Sequence, residues 1–401
     1  MTSLITLDDL APGTLRGQRV LVRVDFNVPL QDGEVLDTTR LDEALPTIRE
    51  LCDAGARVAL MSHCGRPKGE RQERYSLRPV AVRLGELMGR EIHFADDCIG
   101  APATDAIAKL GDGDICLLEN LRFHTGETKN HPEFADALAE LADVFVLDAF
   151  GTAHRAHASV VGVAERLTHK AAGRLLVREV EALGSLLGEP QKPFVGILGG
   201  AKIEGKIDTL ENLLPRLDVL LLGGGMANTF LAAKGYDLAK SLVERDRVDL
   251  ASDILRRAEE LSTKVLIPGD VVVTDDLGDP QRIETVPANA IPEGTLAVDI
   301  GEQTRRTFAK ACMKSGTLFW NGPLGVFEKP PFDAGTEAVA SSLAGSEGFT
   351  VIGGGETVAA VRRAGVAEKL GHVSTGGGAS LELLAGKALP GVVALSQEAT
   401  A

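Results

Sequence analysis

Basic residues are in the minority: 42 Lys and Arg face 57 Asp and Glu, for a formal charge of −15. A field of that sign repels nucleic acid and anionic membranes, so any anionic ligand must be held by a local cluster of cations. Cysteine is also sparse. Cys52, Cys64, Cys98, Cys116 and Cys312 form no C-x-x-C pair and no secreted-type framework, and most lie in apolar runs, where a small buried thiol is expected. A disulfide scaffold is excluded and a reducing compartment is expected. No run of about 18 uninterrupted apolar residues occurs. The opening MTSLITLDDL has no basic stretch leading into an apolar one. Neither a spanning helix nor a targeting segment is expected, and a cytoplasmic location follows. Internal repeats and low-complexity tracts are lacking. With 44% hydrophobic and 25% charged residues, the composition excludes disorder and fibrous classes.

The sequence does contain short apolar, β-branched runs: VLVRV (20–24), VALMS (58–62), ICLLE (115–119), VFVLDAF (144–150), FVGILGG (194–200), VLLLGGG (219–225), KVLIPGD (264–270), TLFWNGP (317–323) and TVIGGG (350–355). Each reads as a strand buried on both faces. Helical spacing fills most of the gaps, as over 76–88 with Ser76 as N-cap. Strands alternating with helices predict parallel sheets covered on both sides. At 401 residues the chain exceeds one core. About nine to eleven strands also exceed one twisted sheet. The expected fold is α/β, with two doubly wound parallel-sheet (Rossmann-like) domains, a hinge helix joining them and a cleft between them. The expected boundaries are 1–175, a connecting helix 176–192, 193–389, and a tail 390–401 that packs back on the first domain. The stretch 170–190 reads as one long helix ending at Gly188 before Pro190.

The two halves carry different chemistry. In the second, GGAK (199–202), GGGMANT (223–229), GGGET (353–357) and TGGGAS (375–380) each follow a strand-like run and precede a helix. Glycines there let backbone N–H groups approach an anion, and the helix dipole favours negative charge. GAKIEGK (200–206) nearly matches a phosphate loop, but Ile207 stands where Ser or Thr would hold magnesium. Lys202 and Lys206, at i and i+4, are expected on one helix face. The first half instead places Arg40, His63, Arg66, Arg122, His154, Arg155 and His157 in strand-end loops. Arginine forks there suit a small polyanion.

RVDFNVP (23–29), MSHCGRP (61–67), LLENLRFH (117–124), DAFGTAHRAH (148–157), LGGAK (198–202), GGGMA (223–227), WNGPLGVFE (320–328) and HVSTGGGASLELL (372–384) are collinear and together closely resemble the phosphoglycerate kinase family. The resemblance implies phosphoryl transfer between 1,3-bisphosphoglycerate and ADP, giving 3-phosphoglycerate and ATP with Mg2+. It implies a glycerate site of Asp25, Phe26, Asn27, Arg40, His63, Cys64, Gly65, Arg66, Arg122 and Arg155. For the nucleotide it implies Lys202, Lys206, Gly224, Asn321, Pro323, Val326, Glu328, Gly354, Gly355, Glu356 and Thr357. Glu356, the expected Mg2+ ligand, carries one methylene more than the family's usual Asp, and Cys64, read as core filling, replaces the usual Leu.

The acceptor in the ATP-consuming direction is a carboxylate, ionised at neutral pH, so no general base is needed. Arg40 and Lys202, with Gly377 and Gly378, are the expected catalytic groups, and hinge bending is expected over 170–193 and 374–378. The chain is expected to be a monomer. Another carboxylate kinase would share the glycine loops but leaves the first half's cations unexplained. A nucleotide-binding scaffold without turnover is the other alternative.

Overall fold

The computed structural model describes residues 4–11 and 13–396. Its contacts divide the chain into two compact units. One runs to Glu181 and resumes at Ala388; the other is Ala182–Lys387.

The first unit is built on a six-stranded parallel sheet, in the order His93–Ala95, Ile115–Leu118, Arg57–Met61, Arg19–Val24, Val144–Asp148 and His169–Ala172. Val20 lies opposite Val58 on one side and Val144 on the other. All five residues of Val144–Asp148 are buried, as a parallel strand covered on both faces requires. The winding reverses between Arg19–Val24 and Val144–Asp148, whose following connections run to opposite sides, the place where a doubly wound sheet opens a crevice.

The second unit repeats the principle in the order Lys264–Leu266, Val219–Leu222, Phe194–Leu198, Thr317–Asn321, Phe349–Gly353 and His372–Val373. Its reversal lies between Phe194–Leu198 and Thr317–Asn321. Trp320, fully buried, anchors the core there with Ile197, Leu318 and Ile352. A separate three-stranded antiparallel sheet, in the order Ile283–Pro287, Asp270–Thr274, Leu296–Ile300, packs its own small clusters.

Several local expectations need correction. KVLIPGD is not one strand: pairing stops at Leu266 and a new strand starts at Asp270, because Pro268 has no N–H to donate. The segment 170–190 is not one helix: residues 169–172 pair with Val144–Leu147, and the helix is Arg174–Leu187. Asp148 sets that start, its Oδ1 accepting the Leu176 N–H at 3.1 Å. The helix expected from Ser76 begins at Arg78. Ser76 Oγ does accept the Arg78 N–H at 3.2 Å, but Glu119 takes the Leu77 N–H at 2.8 Å and the Ser76 hydroxyl at 2.8 Å. Of the expected tail, Pro390–Val393 is helical, and the Gly391 N–H donates to Ala153 at 2.8 Å within the first unit. Residues 397–401 lie outside the described residues.

Candidate functional site

Three loops leave the carboxyl ends of the first unit's central strands and carry its cations. Arg66, Lys68, Arg122, Lys129 and Arg155, with His124 and His157, line a cavity of about 530 Å3 that has no carboxylate in its lining. The loops are tied together by their own polar groups. Arg122 Nη1 donates to the Gly65 carbonyl at 2.6 Å, and Asn27 Oδ1 accepts the Gly65 N–H at 2.9 Å. Asn120, fully buried, clamps the same turn: its Oδ1 accepts from the Cys64 and Arg122 N–H groups at 3.2 and 3.0 Å, and its Nδ2 donates to the Cys64 carbonyl at 2.7 Å. Asp25 pairs with Arg40 and lies 3.9 Å from His63 Nδ1. Arg40 remains about one-third exposed.

Beneath this surface lies Arg23, fully buried. Its Nε donates to Ser159 Oγ at 2.9 Å and its Nη2 contacts His63 Nδ1 at 3.0 Å. A guanidinium can only donate, so Nδ1 accepts and the ring proton sits on Nε2. Burial, then the charges of Arg23, Arg122 and Arg40, hold His63 well below the usual histidine range. It is neutral at pH 7 and presents a donor. Burial also lowers Arg122 to about 10, with Arg155 and Arg23 adding to the effect; at neutral pH it stays charged. Glu127 is the counter-charge. Burial would raise it, but His157, whose Nδ1 lies 3.6 Å from Oε1, the charge of Arg23 and the hydrogen bonds from Ser159 hold it low.

In the second unit the strands' carboxyl ends close on themselves. Gly199 donates to the Asn321 carbonyl at 3.0 Å, Gly200 to Pro323 at 2.7 Å and Gly224 to Leu324 at 2.9 Å. A Cβ on Gly199 would meet the Pro323 oxygen at 2.1 Å, so nothing larger fits. Beside this seam lies a cavity of about 230 Å3 lined by Gly200, Gly224, Asn228, Leu296, Pro323 and Val326, with Glu328 and Glu356 among its lining carboxylates. Lys206 Nζ spans the reversal point, bonding the Gly199 carbonyl and, at 3.4 Å, that of Asn321. Burial lowers it to about 8, against an opposing pull from Glu356. Glu356, the second residue of helix Gly355–Arg363, is raised by burial and by its hydrogen bond and charge repulsion with Glu328. Two carboxyl groups crowded in this way form an oxygen donor set that suits a hard cation.

Other residues singled out from the sequence are placed differently. Phe26 and Cys64 have their side chains in the core, and the Phe26 N–H donates to the buried Ser62 Oγ at 2.8 Å. Burial, then Glu119, raises Cys64 to about 11, so it is a neutral thiol. Lys202 and Lys206 do not share a helix face. A 3-10 turn, Glu204–Lys206, precedes helix Ile207–Leu213, leaving Lys202 exposed in the preceding loop while Lys206 folds inward. Thr357 is buried and accepts the Gly322 N–H at 2.7 Å; the Asn321 amide packs at Gly354. Gly377 has φ +52° and Gly378 opens the helix after the edge strand; neither lines this cavity. Lys68, Lys129, Asn228 and the buried Arg23 are additional members. Arg23 lay within a recognised motif, but Lys129 had no signal beyond its charge.

Two clusters of this kind, each at the carboxyl ends of a parallel sheet, can hold a polyanion in one unit and a phosphate-bearing ligand in the other. The family profile described as phosphoglycerate kinase matches residues 7–387. The chain is 54% identical over 394 residues to a phosphoglycerate kinase of Moorella thermoacetica, covering 98% of this chain and 99% of that one. It is 50% identical over 396 residues to one of Acaryochloris marina, covering 98% and 99%. A solved phosphoglycerate kinase from Coxiella burnetii superposes with a TM-score of 0.88 at 40% identity, over 98% of this chain and 99% of that one. One from Pyrococcus horikoshii gives 0.83 at 34%, over 98% of each. Likeness of this degree along nearly the whole of each protein compared means that the chain belongs to the phosphoglycerate kinase family.

Proposed function

We propose that the chain moves a phosphoryl group between 1,3-bisphosphoglycerate and ADP, with the glycerate held by the first unit's cations and the nucleotide by the second unit's glycine-walled cavity. The observation that carries this reading is the cavity lined by five Lys and Arg side chains without one carboxylate, in a chain of net charge −15. Arg66, Arg122 and Arg155 bind the carboxylate and phosphate of the glycerate, and neutral His63 donates from Nε2. Asp25 orients Arg40, whose open guanidinium edge meets the migrating group. Lys202, exposed and with no ion pair to a described residue, approaches the same group from the nucleotide side.

The acceptor is ionised, so catalysis rests on alignment and on cations that neutralise charge spreading over the phosphoryl oxygens. Glu356 and Glu328 would hold Mg2+ against the nucleotide phosphates, where it supplies further charge neutralisation. Because the two ligands belong to different units, transfer requires them to be brought together. Small-angle scattering that shows no compaction with both substrates counts against that step.

The direct test is a coupled assay of ATP formation from 1,3-bisphosphoglycerate and ADP. Arg40→Ala should lower kcat by about 100- to 1000-fold, the cost of removing one transition-state donor. The KM for ADP should change by less than about threefold. An unchanged kcat removes Arg40 from the reaction, and no ATP from the unaltered chain removes the whole reading.

A further inference from the structure

Apart from the groups given roles above, three side chains of different donor chemistry converge on the first unit's edge strand. Asp97 and Cys98 follow strand His93–Ala95, and His124 follows the 3-10 turn Leu121–Phe123. One ligand atom from each, a carboxylate oxygen, a sulfur and an imidazole nitrogen, all lie within 4.8 Å of one another. His124 Nε2 and Asp97 Oδ1 are 2.7 Å apart. The Cys98 N–H donates to that same oxygen at 2.6 Å, which fixes Asp97 over the buried sulfur. The His124 ring packs on Phe134 with centroids 5.3 Å apart, which limits how it can turn. Among the described residues no further His, Cys, Asp or Glu joins the group, so the donor set is three.

We infer that Asp97, Cys98 and His124 form a binding site for a borderline-soft divalent cation of the Zn2+ class. Zinc binds oxygen, nitrogen and sulfur at about 2.0–2.3 Å, so donors around a tetrahedral ion stand roughly 3.3–3.8 Å apart. The observed donors, one pair at 2.7 Å and all within 4.8 Å of one another, reach that spacing by side-chain rotation. Three protein ligands leave a fourth position to water or a ligand. Thiolate plus imidazole selects zinc, cobalt or cadmium over magnesium, which takes oxygen donors and keeps its waters. On binding, the Cys98 thiol proton leaves to solvent, the imidazole proton moves to Nδ1, and Nε2 gives its lone pair to the cation. His124 lines the cationic cavity, so the ion lies at the wall of the glycerate site.

The test uses the full chain, stripped by chelator and free of nucleotide, titrated with Co2+ and followed by absorption. The expected result is a saturable thiolate-to-cobalt charge-transfer band that Zn2+ removes and excess Mg2+ leaves in place. Cys98→Ser should abolish the band while circular dichroism stays unchanged, and His124→Ala should weaken Co2+ binding more than about tenfold. Absence of a saturable band, its survival in Cys98→Ser, or its displacement by Mg2+ overturns the site. Should Cys98→Ser fail to fold, Asp97→Asn and His124→Ala carry the test, both at half-buried positions; unchanged affinity in both also overturns it.

Discussion

The ammonium of Lys206 is held by carbonyl oxygens across the sheet's reversal point and gains only partial relief from Glu356 for its burial, which puts its pKa near 8. Without a ligand it is charged below that pH and loses its proton above it. A phosphate favours the ammonium and raises the pKa, so nucleotide affinity is full below about 8 and falls as pH rises through the window above. Calorimetric titration with ADP should show Kd rising toward about tenfold per pH unit above that point. Lys206→Met should bind more weakly at pH 7 and show no such rise. A flat wild-type profile between pH 7 and 9.5 would remove Lys206 from the phosphate site. Its inward turn was not legible in the sequence, where four-residue spacing suggested a shared face with Lys202; the intervening 3-10 turn breaks that register. Lys129 was invisible for a different reason: the fold alone brings its segment to the arginines.

The seam of the second sheet depends on turns that admit no side chain. Gly224 has φ +64°, and a Cβ there would meet the Gly200 oxygen at 2.6 Å. Gly224→Ala should therefore cost roughly 2–4 kcal/mol, combining left-handed strain with backbone displacement. Urea unfolding monitored at Trp320 measures it, and a loss under about 0.5 kcal/mol, the level of an ordinary surface substitution, contradicts the account. The central parallel strands were readable because a strand buried on both faces must be almost wholly apolar, as in ICLL and FVGIL. An edge strand of the antiparallel sheet was not. Ile283–Pro287 alternates exposed and half-buried residues and includes Glu284, so no apolar run announces it. The short strands His93–Ala95, His169–Ala172 and His372–Val373 take their identity from a neighbour's free edge more than from their own composition.

The chain's last described turn belongs to the unit with which the chain begins, and this has a measurable consequence. Leu389 and Leu395 are buried there, Leu395 accepts the Ile5 N–H at 2.9 Å, and Gly391 lies against Val160 and Leu147. Removing two buried leucines costs about 2–5 kcal/mol each. That is a large part of the roughly 5–15 kcal/mol that holds a domain together. Ending the chain after Lys387 should therefore loosen the first unit and leave the second unit's sheet intact. Trp320 is the sole tryptophan and lies buried in the second unit, so its fluorescence transition isolates that unit. Amide exchange along Arg19–Val24 reports on the other. Truncation should abolish protection in that strand and binding of 3-phosphoglycerate, while the Trp320 transition and ADP binding stay close to those of the full chain. Full protection of Arg19–Val24 in the truncated chain would mean the terminal helix contributes nothing to the first unit. A matching fall of the Trp320 transition would mean the units unfold as one.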